Sequence, residues 1–508
     1  MRRYQRPSLF SLGDTNAFFA LLLDNVVNLV VLSGILVFQF GFPADFVLTR
    51  MIPGTALGVM IGDLLYTWLA VRNGGGRTAM PLGLDTPSTI GVALIVLGPV
   101  YLQTHDPYVA WETGMATLFF IGVTKVVLSF AGDTVLRILP TAALLGPLAG
   151  VGLALLGLFP IVQIFDYPIA GLVGTGLVLY ALIARRPLPG RIPGALAAVA
   201  VAAALYWAMN LLGIHPAHPQ DAAANFALHV PLPEFGHLVA GLPRALDFLP
   251  VSLPFGLLTI IGGINATASA RAAGDEYRTR DILQVEAGAT LAAAVFGGVA
   301  QSTPYIGHPA YKAMGAKAGY TLATGLVVGI GGMLGLLGVL VNILPEVAVA
   351  PILLFVGIEI TVQAVRVPEP RHLPAVAFSI LPVLAYLVSI YTGQLLGAGA
   401  HPDPTLAAQV TTMSIVGQGF ILTAMLWGAA VAFLIDGRPG AVAATFGVLA
   451  VFSLFGVVHS VDPRGGLQLP AARPLEIAAA YLLTGALMAG LMKRDSRPRS
   501  NEKGDLAV

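Results

Sequence analysis

The ionisable residues of this chain are few, and several stand inside long apolar runs. In "TAMPLGLDTPSTIGVALIV", residues 78 to 96, Asp85 lies between Pro81 and Pro87 at the head of such a run. A carboxylate at a broken segment either faces a polar cavity, where it can hold a ligand or exchange a proton, or caps the helix that follows. The first apolar run carries Asp24, Asn25 and Asn28, three and four residues apart, a polar stripe that lines a site or ties helices together. Asn265, Thr267 and Ser269 alternate in "TIIGGINATASA". His308 changes charge near neutral pH, so it either carries a proton or bonds to backbone. Asp63 in "VMIGDLLYTWLA" and Lys125 in "FFIGVTKVVLSF" have opposite sign and are candidates for an intramembrane ion pair. Glu359, in "FVGIEITVQAV", reads as an interface contact before a substrate ligand.

Other chemistries are poorly represented. His215, His218, His229 and His237 lack a third ligand at set spacing, so no metal centre is expected. No phosphate-binding loop or nucleophile elbow occurs in a credible context, which argues against an enzyme, ATP drive and any cofactor. The net charge of +1 gives no reason to expect nucleic acid, and the absence of cysteine excludes disulfides.

These residues must be positioned by membrane helices. Of 508 residues 56% are hydrophobic and 10% charged, against roughly 25% charged in soluble domains. With about 20 apolar residues per span, segments are expected near 17–40, 50–72, 80–101, 109–131, 137–159, 163–184 and 192–213. Seven more are expected near 247–273, 281–300, 303–316, 318–343, 345–366, 373–396 and 413–436, and two extra ones near 440–458 and 474–493. The expected organisation is a first repeat over 1–213, an extracytoplasmic linker over 214–246, a second repeat over 247–436, two further helices over 437–493, and a polar tail over 494–508. The basic amino terminus lacks a cleavage site, so no removed signal peptide is expected. Arg72, Arg77, Arg271, Arg278, Arg280, Lys312 and Lys317 fall in loops on one side, and few basic residues fall on the other. That bias places both termini in the cytoplasm, with the chain in the cell (inner) membrane.

An odd number of spans per repeat inverts the second copy, an arrangement met in secondary transporters. "TPSTIG" at 86–91 is echoed by "STPYIG" at 302–307, both opening the third segment of their half. Rich in Pro, Gly and hydroxyls, both segments are expected to start extended and continue as helix, meeting near the midplane.

The chain resembles the nucleobase permeases of the xanthine/uracil type, most closely the hypoxanthine/guanine/adenine permease branch. The resemblance is carried by "YVAWETGMATLFFIGV", "ILPTAALLGPLAGVGLALLGL", "SARAAGDEYRTRDILQVEAGATLAAAVFGG" and "APILLFVGIEITVQAVRVPEPRHLPAVAFSILPVLAYLVSIYTGQLLG". It implies an all-α, seven-plus-seven inverted repeat with a core and a gate domain, each third segment beginning as a short strand, and a possible homodimer. Two family carboxylates are replaced here, by Ile261 and Gly307, and an Asp, Asp85, stands where an amide is usual.

The resulting expectation is a secondary transporter of a purine-like nucleobase or related small polar solute, coupled to a proton or sodium ion in a lipid bilayer. Asp24, Asn25, Asp85, Thr86, Ser88, Asn265, Thr267, Ser302, Thr303 and Tyr305 would line its site. Asp85, His308 and Glu359 are the proton-coupling candidates. The alternatives are a small-anion transporter of the same fold, as in the related sulfate-permease type, and a non-transporting sensor or assembly protein.

Overall fold

The computed structural model describes residues 9–72, 76–130, 139–189, 194–214, 228–305, 307–336, 339, 345–397, 399–461 and 470–495. His215, His218, Arg137, Arg191, much of the 214–246 linker and the tail beyond 495 lie outside the described residues.

The first repeat runs through α1 (Gly13–Gly34), α2 (Ile52–Val71), β1 (Leu82–Leu84), α3 (Thr86–Val92, helical on to Thr104), α4 (Pro107–Ser129), α5 (Thr141–Leu153), α6 (Pro168–Val178) and α7 (Gly194–Leu211). A short helix, α8 (Phe235–Ala245), precedes the second repeat. That repeat comprises α9 (Leu249–Ala272), α10 (Thr279–Val295), β2 (Ser302–Pro304), α11 (His308–Ala313), α12 (Gly319–Met333), α13 (Glu346–Arg366), α14 (Leu373–Gly397), α15 (Pro404–Gly417) and α16 (Phe420–Ile435). Two terminal helices follow, α17 (Pro439–Leu454) and α18 (Ala472–Asp495). The fold is therefore a seven-plus-seven inverted repeat, with a strand-then-helix third segment in each half and two added helices. Among the described residues nine helices are long and apolar enough to cross a bilayer, and one further candidate span is broken.

Some boundaries differ from the sequence expectation. The fifth segment stays helical to Asp166, carrying Pro147 within it, and the sixth starts at Pro168, because proline fits a helix's first turn without loss of a hydrogen bond. The fourteenth starts at Pro404, where Asp403 accepts hydrogen bonds from the backbone N–H groups of Thr405 and Leu406, both 2.9 Å. The two echoed hexapeptides are also not equivalent. "STPYIG" holds the strand of its half, whereas "TPSTIG" opens the helix of the other. The true counterparts are Leu82–Leu84 with Ser302–Pro304, and the helix starts Thr86-Pro87 with His308-Pro309.

The chain divides into two compact units. In the first, residues 1–135 and 156–358, α2 packs against α10 and α12, and α4 against α8, α9 and α10. Small residues allow the close approach of α2 and α10, with Gly58 against Ala293. The Trp111 indole N–H, wholly buried, donates to the Gly297 carbonyl at 2.7 Å.

In the second, residues 136–155 and 359–508, α5, α14 and α16 meet through alanines that include Ala142, Ala149, Ala375 and Ala432. The helix pair α15 and α16 bends by 72°. Gly419 takes the turn with φ 66°, a left-handed conformation that costs a side-chain-bearing residue. The Gln418 carbonyl exposed by this break accepts the backbone N–H of His459, which follows α17, at 3.0 Å. The His459 Nδ1 lies 3.1 Å from the Ile415 carbonyl, which can only accept, so Nδ1 carries the proton and Nε2 accepts the Tyr481 hydroxyl at 2.7 Å. That hydroxyl in turn accepts the Trp427 N–H at 2.9 Å.

Candidate functional site

β1 and β2 pair antiparallel, with Leu82 opposite Pro304, Gly83 opposite Thr303 and Leu84 opposite Ser302. The ladder extends by one bond at each end, Asp85 N–H to the Gln301 carbonyl at 3.0 Å and Tyr305 N–H to the Pro81 carbonyl at 2.9 Å. A two-stranded ribbon leaves two open edges, and in a membrane each edge group needs a partner. Asn25 serves β1: its Oδ1 accepts from Leu84 N–H at 3.1 Å, and its Nδ2 faces the Leu82 carbonyl at 3.3 Å. Lys125 serves β2, donating to the Ser302 carbonyl at 2.9 Å. Both side chains are wholly buried.

Around this crossing stand four carboxylates, Asp24, Asp63, Asp85 and Glu286. Asp85 caps α3, accepting the Ser88 N–H at 3.0 Å, while the residue remains partly open to its surroundings. The capping role is thus observed, and Ser88, buried, contributes to the cap. Asp24 accepts the Tyr305 hydroxyl, which also lies 3.2 Å from the Leu84 carbonyl. Glu286, on α10, forms an ion pair with Lys125 at 2.9 Å, both side chains without any exposure. Lys125 also donates to the Thr290 hydroxyl at 3.2 Å. Asp85 lies within electrostatic reach of both Lys125 and Glu286.

Glu286 is thus Lys125's partner. Asp63, fully buried on α2, faces the Leu82 backbone N–H instead. Sequence reading missed Glu286, although it lies inside the expected segment 281–300. Its signal was an acid four residues before Thr290, at the head of the otherwise apolar stretch "EAGATLAAAV".

The other candidates divide. Thr86 is partly open beside Asp85, and Ser302 and Thr303 are buried on β2. Thr267 is buried with its hydroxyl donating within its own helix to the Gly263 carbonyl at 2.8 Å, and Asn265 is exposed on α9. His308 turns to a different cluster, bonding Asp275 at 3.0 Å, and Lys312 reaches the same carboxylate at 3.0 Å. Glu359 is exposed on α13, in the second unit. His237 bonds Glu112 at 2.7 Å.

Two opposed broken segments, joined by a strand pair inside an inverted repeat, define the fold of membrane transporter domains. No protein-family model matches the chain, and no curated protein matches it. Solved structures do. The transmembrane domain of a cyanobacterium bicarbonate transporter, BicA, superposes with a TM-score of 0.52 at 14% identity, covering 76% of this chain and 97% of that one. The murine Slc26a9 anion transporter in its inward-facing state gives 0.53 at 15% identity, covering 84% of this chain and 68% of that one. A further SLC26A9 structure gives 0.52 at 14% identity, covering 84% and 66%. These likenesses share the fold and overturn the nucleobase-permease resemblance, together with the purine and xanthine/uracil reading drawn from it. The quoted motifs, a Trp-bearing fourth segment and a Gly-rich fifth, follow the architecture, which accommodates different ligands.

Proposed function

We propose that the protein is a secondary transporter of a small anion, working by alternating access with protons as co-substrate. The likeness to bicarbonate and anion transporters supports the ligand class. The charge balance at the strand crossing carries the coupling: Asp24, Asp63, Asp85 and Glu286 stand against one cation, Lys125. With all five ionised, the crossing holds three excess negative charges. A unit anion about 4 Å from one uncompensated carboxylate meets about 4 kcal/mol of repulsion at an effective dielectric near 20, roughly a thousandfold in affinity. Protons entering with the anion remove that penalty, so symport follows from the electrostatics. The positive end of the helix that begins at Thr86, with Asp85 neutralised at its cap, then favours the anion. Ser302 Oγ, Thr89 Oγ1 and Gln301 Nε2 are buried donors without partners among the described residues, which suits an acceptor-rich ligand.

Uptake of radiolabelled bicarbonate, chloride and sulfate into proteoliposomes, with and without an inward proton gradient, tests this reading. One of the three should accumulate only with the gradient. Asp85→Asn keeps a good helix cap and should uncouple uptake from pH. Uptake of none of the three by folded protein would count against the ligand class. Wild-type proton dependence in the Asn variant would remove Asp85 from coupling.

A further inference from the structure

We propose a second binding site, for a phosphate-bearing ligand, at the ends of α2, α9 and α10 and apart from the strand crossing. A cavity of about 530 Å³ opens there. Four guanidinium groups line it: Arg72 just after α2, Arg77 on the approach to β1, Arg271 in the last turn of α9, and Arg278 at the cap of α10. Glu276 and Asp281 are its carboxylates, leaving an excess of two positive charges. Asp281 pairs with Arg72. Among the described residues no ion pair involves Arg77, Arg271 or Arg278.

A bias of basic residues toward the inner face is common in membrane proteins and explains the sign of this region. It does not explain why guanidiniums from two stretches of chain, 72–77 and 271–278, about 190 positions apart in sequence, line one hollow. Nor does it explain Arg278 at the start of a 17-residue helix, where no side chain caps the first N–H groups and the one acid of the first turn, Asp281, is engaged by Arg72. A bound anion would fill both needs. Tyr277 forms a wall: its ring lies under Arg77 at 5.7 Å, and its hydroxyl donates to the Thr78 carbonyl at 2.6 Å. Burial and the neighbouring Asp275 push the Tyr277 hydroxyl up, so it remains a donor.

The chemistry selects phosphate. Planar guanidiniums bond phosphate oxygens in pairs, and a phosphate monoester carries about −1.5 to −2 charges near neutral pH, matching the excess. The cavity is larger than the ion alone and falls within the usual range for small-molecule sites, so it admits the group to which phosphate is attached. That group belongs to a soluble metabolite or to an anionic lipid headgroup. Occupancy would bridge Arg77, which leads into β1, to Arg278, which starts α10, and so brace the approach to β1 from outside the crossing.

The test uses the full-length protein in phosphatidylcholine nanodiscs and reads binding, so it stands apart from the transport proposal. Inorganic pyrophosphate titrated into the solution probes a soluble ligand; nanodiscs doped with phosphatidic acid probe a lipid one. Binding is followed by thermal shift and native mass spectrometry. Binding in either arm supports the site and assigns its source. Arg271→Gln with Arg278→Gln should weaken it about tenfold or more, while the charge-matched Arg280→Gln with Arg366→Gln leaves it unchanged. In the wild type, pyrophosphate or the doped lipid should also slow amide exchange over 76–79 and 273–281, a readout that needs no variant. Failure of both probes to bind, or equal weakening by the two double variants, would overturn the proposal.

Discussion

Lys125 of the fourth segment and Glu286 of the ninth meet at 2.9 Å, and neither side chain reaches the surface. This pair, with Lys125 also bonded to the Ser302 carbonyl, joins two helices to one edge of the strand crossing. Its effect on stability is asymmetric, since a buried charge costs most when its partner alone is removed.

Glu286→Gln should therefore destabilise the protein by about 3 to 5 kcal/mol, measured as denaturant or thermal unfolding in detergent. Lys125→Met with Glu286→Met should recover most of that loss while abolishing anion uptake. Recovery of uptake together with stability would show that the pair serves the fold alone.

Gly83 has no room for a side chain, because a Cβ there would overlap the Tyr305 phenol ring. Gly83→Ala should lower the melting temperature and displace Tyr305 from Asp24. Adding Tyr305→Ala should restore stability to within about 1 kcal/mol of Tyr305→Ala alone. A Gly83→Ala protein as stable as wild type, with Tyr305 in place, refutes the steric argument.

Tyr305→Phe removes the hydroxyl that Asp24 accepts and keeps the ring. The fold should lose about 1 to 3 kcal/mol, and the pH profile of uptake should move, since Asp24 loses the hydrogen bond that favours its ionised form. An unmoved profile would place Asp24 outside the coupling set.

His459 supplies a pH prediction. Burial pushes its imidazole below the ordinary value of 6.5, because the neutral ring is the form its neighbours hold. The unfolded chain then binds more protons below that pH, so stability from this residue is full above about 6.5 and falls as pH drops. Amide exchange over 439–495 should accelerate between pH 6.5 and 5 in the wild type. His459→Gln should flatten that dependence; an equally steep response in the variant would assign the effect elsewhere.

The parts legible in the sequence were those governed by local rules. Pro81, Pro87 and the surrounding glycines mark broken segments, and the apolar run lengths mark the spans, because backbone chemistry and bilayer thickness act locally. The equivalence of the two hexapeptides did not hold, since "TPSTIG" and "STPYIG" match in letters while the chain aligns by its helix starts at Thr86-Pro87 and His308-Pro309. The Lys125 partner was not legible: Asp63 and Glu286 are equally acidic in sequence, and only the crossing of α4 with α10 selects between them. Of the site residues, Asp85, Asp24 and Tyr305 were reached because a charge or break flagged them. His308 carried a flag of the same kind, yet its bonds go to Asp275. The nucleobase-permease resemblance did not hold, because the motifs that carry it follow an architecture that accommodates different ligands.

The bend between α15 and α16 gives the last two helices a purpose that composition alone does not suggest. A carbonyl freed by a 72° kink in a lipid-facing span would otherwise go without a donor, and here the donor is supplied by His459, downstream of the repeat. The terminal pair is a splint set across a fracture. A chain trimmed after Asp436 would keep all fourteen segments in sequence and lose the brace that holds the last of them in its broken shape.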